Sequence, residues 1–202
     1  SEDYAKLAGL SAEEDLNETL VQSVRKRLPW LLVLLGLGMV VSSVVGLFES
    51  VVAQLTLIVC FQSLVLDMAG TQSLAVTIRV LMDSETTGAQ KRKLVWKEAR
   101  VGLMNGAILG AASFALIGAY LLLRGEAALM AFGVSGCIGI ALIAAMLLSS
   151  ISGTVIPIFF KKIGVDPAVA SGPLITTVND LVAVISYYGL TWLLLIEWLH
   201  LA

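Results

Sequence analysis

Long apolar stretches, parted by short charged ones, set the pattern of this chain. A helix needs about 20 mainly apolar residues to cross about 30 Å of hydrocarbon. Five stretches are long enough: about Leu28 to Phe48, Val51 to Leu81, Val101 to Leu123, Ala127 to Phe160 and Val169 to Leu199. The pattern predicts an all-α, polytopic membrane protein with five transmembrane helices. Polar residues interrupt the second stretch at Asp67 and Gly70-Thr71-Gln72-Ser73, and the fifth at Pro173, Asn179 and Asp180. The fourth and fifth exceed one crossing, which predicts tilt, a kink near Pro157 or extension beyond the lipid.

Ahead of the first span, Ser11-Ala12-Glu13-Glu14 has the form of a capping box. Leu16, Leu20 and Val24 recur at four-residue spacing, and Arg25-Lys26-Arg27 follow where a helix dipole favours cations. A short amphipathic cytoplasmic helix leading into span one is expected. The segment from Asp83 to Arg100 is polar and basic. It reads as a loop plus a helix lying on the inner interface and anchored to anionic membrane lipids. Gly102, Gly106 and Gly110 form a continuous Gly-x-x-x-Gly series, with Gly133 and Gly136 expected to act similarly in span four. Small residues let helix backbones approach where lipid removes any hydrophobic drive between helices.

Composition sharpens the membrane assignment. Apolar residues make up 58% of the chain and charged ones 14%, and mean hydropathy is +0.92. A soluble domain is about half apolar and a quarter charged. A net charge of -2 gives no electrostatic case for a nucleic-acid partner. Cys60 and Cys137 stand apart in apolar runs, and the single His200 lies at the C-terminus, so thiolate or imidazole metal sites have little to work with. No nucleophile–base set or phosphate loop appears, which argues against an enzyme. The first residues, Ser1-Glu2-Asp3-Tyr4, do not have the form of a signal peptide, and the chain reads as cut from something longer.

With a cytoplasmic N-terminus, every Lys and Arg except Arg124 falls on the inner side, a lopsided positive-inside pattern. An odd number of spans then puts the C-terminus outside. Trp30, Trp96 and Trp198 fall near span ends, where interfacial aromatics belong.

Charged groups within spans are costly and call for an explanation. Glu49, at the outer end of span one, is either solvated at the interface or a lure for cations at a pore mouth. Glu98 and Arg100 read as an ordinary interfacial pair near the inner boundary. Asp67 lies in mid-span beside the Gly-Thr-Gln-Ser cluster, and Asp180 follows Thr176, Thr177 and Asn179. Hydroxyl, amide and carboxylate oxygens without nitrogen or sulfur ligands suit a hard cation such as Mg²⁺ or Ca²⁺. The competing reading of Asp180 is a hydrogen-bonded carboxylate that locks helix packing. A two-fold axis along the membrane normal would bring Asp180 of two copies into a two-carboxylate ring.

The run Gly164-Val165-Asp166-Pro167-Ala168-Val169-Ala170-Ser171-Gly172-Pro173-Leu174-Ile175-Thr176-Thr177-Val178-Asn179-Asp180 resembles the start of the last helix in the MgtE family of magnesium channels almost residue for residue. Arg25-Lys26-Arg27-Leu28-Pro29-Trp30-Leu31, Phe48-Glu49-Ser50 and Gly70-Thr71-Gln72-Ser73-Leu74-Ala75-Val76-Thr77-Ile78-Arg79 match as well. The resemblance implies a homodimer, five helices per subunit, with a pore at the two-fold interface lined mainly by helices two and five. It makes Asp180 the principal Mg²⁺ site and places Gly172, Thr176 and Asn179 at or beside pore-facing positions. Mn²⁺, Co²⁺ and Ca²⁺ are further candidate ions, and transport would be passive, into the cytoplasm. Residues 1–27 then form the end of a cytoplasmic connecting helix and 28–202 the pore domain. The family's cytoplasmic sensor domains have no counterpart in these 202 residues. One departure stands out: the family's Gly-Asn-x-Gly before Thr-Gln-Ser is replaced by Asp67-Met68-Ala69-Gly70.

Two other functions compete. A cation/proton-coupled secondary transporter would use Asp180 or Asp67 as proton carrier, and such transporters often show internal repeats, which these halves lack. A membrane structural or assembly protein predicts no ion flux.

Overall fold

The computed structural model describes residues 19–48, 53, 56–82, 88–164 and 167–198; side chains at 26, 30, 82, 88–89, 167–173 and 198 fall outside that description. The elements are helices: α1 (Leu20–Gly46), α2 (Thr56–Met82), α3 (Gly88–Leu123), α4 (Ala128–Lys162) and α5 (Pro167–Thr191), the last continued by π-helical turns over Trp192–Trp198. All five are long and apolar enough to cross a membrane. Large apolar side chains such as Leu35, Met39, Met104, Leu116 and Ile185 point outwards. In water that surface would aggregate; in hydrocarbon it is matched by its surroundings.

Two expectations change. Within the expected Asp83 to Arg100 segment, Gly88 to Arg100 do not form a separate interfacial helix, because α3 runs unbroken from Gly88 into the span; 83–87 lie outside the described residues. Likewise α1 runs straight through Arg25-Lys26-Arg27 and Pro29 rather than ending before the membrane. Its N-cap is Thr19, whose backbone N–H donates to Gln22 Oε1 at 3.1 Å. The Ser11–Glu14 pattern lies outside the described residues. The polar breaks in spans two and five are chemical only, since both α2 and α5 stay helical through them. A backbone in lipid must satisfy its own N–H and C=O groups, so a polar side chain does not unwind it.

The middle of the bundle is α4, which packs most extensively on α3 and also touches α2 and α5, whereas α1 rests mainly on α5. Val134, Ile138, Ala141, Leu142 and Ala145 of α4 are buried against Val65 and Ala69 of α2, Leu121 of α3 and Val184 and Tyr187 of α5. The α3–α4 contact is the closest. A Cβ on Gly110 would lie 2.7 Å from the Gly139 carbonyl oxygen, and one on Gly106 would lie 2.8 Å from Ile143 Cα. The α3 stripe is therefore a packing surface, but its partner on α4 is Gly139. At Gly136 a Cβ would find ordinary contact with Phe114, 3.7 Å away. The turn from α3 to α4 is a Schellman motif: Gly125 (φ 87°) is left-handed, its N–H reaches Leu122 O, and Glu126 N–H reaches Leu121 O.

Tyrosines fasten α5 to the opposite end of α2. Tyr187, fully buried, donates its hydroxyl to Ile58 O at 2.7 Å, and Tyr188 donates to Gln62 Oε1. At the other end of α2, Arg79 Nη1 donates to Glu98 Oε1 at 2.6 Å. The Glu98 side chain is 1% exposed and that of Arg79 54%. Arg100 instead lies over the Trp96 ring, so the expected Glu98–Arg100 pairing is replaced by one between helices. Removing Arg79 would strand a buried carboxylate, costing up to about 3 kcal/mol, less if water reaches Glu98 in its place. Arg79→Ala should lower the melting temperature in detergent, and adding Glu98→Gln should restore most of the loss. A melting temperature unmoved by Arg79→Ala would show the pair to be incidental.

Candidate functional site

Polar side chains on the helices separate into two sets with different surroundings. The first set turns inwards. Gln72 and Ser73 face α4, where Gln72 Nε2 donates to Ser150 Oγ at 2.9 Å, while Gln72 Oε1 accepts from Asn105 Nδ2 of α3 at 3.2 Å. One turn on, Thr77 Oγ1 donates to Gly153 O at 3.2 Å. A Cβ on Gly153 would lie 2.8 Å from Ser73 O, so that glycine lets α2 approach. The Thr-Gln-Ser motif thus supplies mostly glue between helices. Its partners on α4, Ser150 and Gly153, were not recognised in the sequence, where serines and glycines are common in any membrane helix.

The second set turns away from this seam. Asp67 and Thr71, one helical turn apart on α2, are exposed, as are Leu74 and Ala75 on the same face. On α5, Thr176 is exposed and Asp180, one turn later, is half-buried. Asp180 belongs to the stripe that continues through Val184 and Tyr187, and Tyr187 reaches Ile58 of α2. Asp180 is therefore close to the α2–α5 seam. An exposed acid and a half-buried one, each with a hydroxyl one turn away, are expensive in hydrocarbon.

The expected oxygen cluster on α5 divides accordingly. Thr177 and Asn179 are buried on the bundle side, and Asn179 Oδ1 accepts from Ser152 Oγ of α4 at 3.1 Å. At 3.6 residues per turn, residues 176 and 180 share one face while 177 and 179 fall either side of it. Gly172 falls a turn before Thr176 by helical register, but its surroundings lie outside the described residues, as does Glu49. Among the described residues no three His, Cys, Asp or Glu side chains gather into a metal-holding group.

Five membrane-length helices among the described residues, two of them carrying an acid along their length, define a polytopic helical membrane protein. The chain belongs to the MgtE family, described as divalent cation transporters, whose match extends over residues 66–190. It is similar to the magnesium transporter MgtE of Enterococcus faecalis, 36% identical over 191 residues, covering 93% of this chain and 40% of that protein. It is 35% identical to MgtE of Bacillus subtilis over 94% of this chain and 41% of the relative. MgtE of Thermus thermophilus is 31% identical over 84% and 36%. The chain thus spans about two fifths of the length of the curated relatives it matches.

Proposed function

We propose that the chain carries Mg²⁺ through the membrane, as a homodimer whose pore lies on a two-fold axis between the α2 and α5 helices of both copies. The observation that carries this reading is the polar stripe of exposed Asp67, Thr71 and Thr176 with half-buried Asp180 beside the α2–α5 seam. Such a stripe is tolerated in a bilayer only when it lines a water-filled path or meets a partner. A second copy would meet it with the same stripe, doubling the carboxylates and completing a site that one copy leaves short. Mg²⁺ gives up its water reluctantly, so a ring of carboxylates and hydroxyls suits a largely hydrated ion held through outer-shell contacts. Asp180, half-buried and beside the α2–α5 seam, is the principal ligand, with Asp67 and Thr176 at the flanks. Thr177 and Asn179 hold α5 against the bundle and shape the site from behind. Flux is passive and inward: a divalent ion gains about 4.6 kcal/mol per 100 mV of membrane potential. Mg²⁺ is the favoured cargo because the relatives are named for it; Mn²⁺ and Ca²⁺ share its preference for oxygen ligands, and Co²⁺ is a further candidate.

Disulfide cross-linking tests the interface. In a Cys60→Ser, Cys137→Ala background, Thr71→Cys should yield an oxidant-dependent covalent dimer in membranes, while Leu103→Cys on α3 should not. Linking at Leu103→Cys and none at Thr71→Cys would move the interface elsewhere. The charge asymmetry also supports a cytoplasmic Ser1 and an external Ala202. Impermeant maleimide on cells carrying Ser1→Cys or Ala202→Cys should label only the second; labelling of both would remove an odd number of crossings.

A further inference from the structure

Where α3 ends, beside the first turns of α2, the surface holds a groove of about 440 Å³, within the range of small-molecule sites. Leu57 and Phe61 of α2 and Leu116 and Ile117 of α3 line it, together with Tyr120 and Arg124 at the end of α3. Lipid tails would wet any apolar surface of this protein, but this groove has a cation at its mouth. The Arg124 guanidinium carbon lies 6.0 Å from the centre of the Tyr120 ring. A guanidinium held over a ring at that distance still has N–H donors to offer an anion. Among the described residues no carboxylate forms an ion pair with Arg124, Glu126 included. Nor is Arg124 required to cap α3, because the N–H groups of Gly125 and Glu126 already serve the last carbonyls. A Tyr and an Arg one turn apart at the end of a span sit at headgroup depth.

We infer that this groove binds one anionic phospholipid, its acyl chain along Leu57, Phe61, Leu116 and Ile117 and its phosphate on Arg124. The site is separate from the α2–α5 stripe and does not depend on what passes there. The apolar groove supplies area and the arginine supplies selection, since a zwitterionic headgroup carries its own cation to compete for the phosphate.

Native mass spectrometry of the 202-residue chain, released from micelles doped with phosphatidylglycerol or phosphatidylcholine, tests this directly. One phosphatidylglycerol per chain should remain bound, with phosphatidylcholine retained at least tenfold less. Arg124→Gln should weaken phosphatidylglycerol retention about tenfold, and Leu116→Trp, which fills the groove and keeps the charge, should weaken it too. Lys161→Gln/Lys162→Gln, at the far end of α4, should leave it unchanged. Millimolar inorganic phosphate should not displace the lipid; displacement would mean a free-anion site and overturn the proposal. Equal retention of both lipids, or of phosphatidylglycerol by Arg124→Gln, would overturn it as well. Leu116→Trp that changes the oligomeric state while leaving lipid retention intact would show that a second copy covers the groove instead.

Discussion

Replacing Asp180 with Asn should weaken Mg²⁺ binding by one or more orders of magnitude while leaving the fold in place. In a two-fold assembly the substitution removes two carboxylates at once. Two unit charges about 4 Å apart at an effective dielectric near 20 interact by about 4 kcal/mol, and a divalent ion feels more. Desolvation takes back much of this, but each 1.4 kcal/mol that survives is a tenfold change. Asn keeps the size and is cheaper to bury than a charge. Among the described residues the half-buried Asp180 has no hydrogen-bond partner, whereas its neighbour Asn179 is tied to Ser152. The packing explanation of Asp180 predicts the opposite outcome: an unstable protein with unchanged affinity per folded molecule. Isothermal calorimetry of Mg²⁺ binding to monodisperse Asp180→Asn separates the two. Asn179→Leu supplies the contrast. It should disturb α4–α5 packing and lower stability first, because its amide oxygen accepts from the bundle.

The second large effect falls on the α3–α4 contact. Gly110→Leu should prevent normal packing of these helices, and even Gly110→Ala should cost about 1–3 kcal/mol. The added Cβ would meet the Gly139 carbonyl oxygen at 2.7 Å, a backbone atom that cannot swing aside. The helices must separate, and with them the buried contacts of α4, the central helix. Gly36 is the internal control: nothing lies within 4 Å of the Cβ position there. Gly36→Ala should be neutral or mildly stabilising, since Ala is the better helix former by up to about 1 kcal/mol. Thermal unfolding in detergent would measure all three. A Gly110→Ala protein as stable as Gly36→Ala would mean that the α3–α4 contact is looser than described.

Helix number and type were legible because hydrocarbon imposes a length and an apolar composition that few other folds satisfy. Asp67 and Asp180 stood out for the same reason, as charges where charges are costly. Facing was harder to read. Thr176, Thr177, Asn179 and Asp180 are adjacent in sequence, yet a helix turns 177 and 179 inwards and leaves 176 and 180 towards the outside. Hydrophobic periodicity cannot resolve this in a membrane, because both the core and the lipid side are apolar. The polar contacts of Gln72 and Arg79 with Ser150 and Glu98 join residues up to 78 positions apart, and one sequence gives no signal for such pairings. The limits of α1 and α3 were misplaced because charge marks the membrane boundary, and these helices continue past it.

Voltage-driven uptake of divalent ions into proteoliposomes tests the central claim most directly. With an inward potential and no proton gradient, the native chain should take up Mg²⁺, and Asp180→Asn should take up at least tenfold less at low Mg²⁺. Absence of uptake under potential alone, with uptake restored by a proton gradient, would contradict a passive pore and favour a coupled carrier. No divalent flux under either condition would contradict transport by this chain altogether.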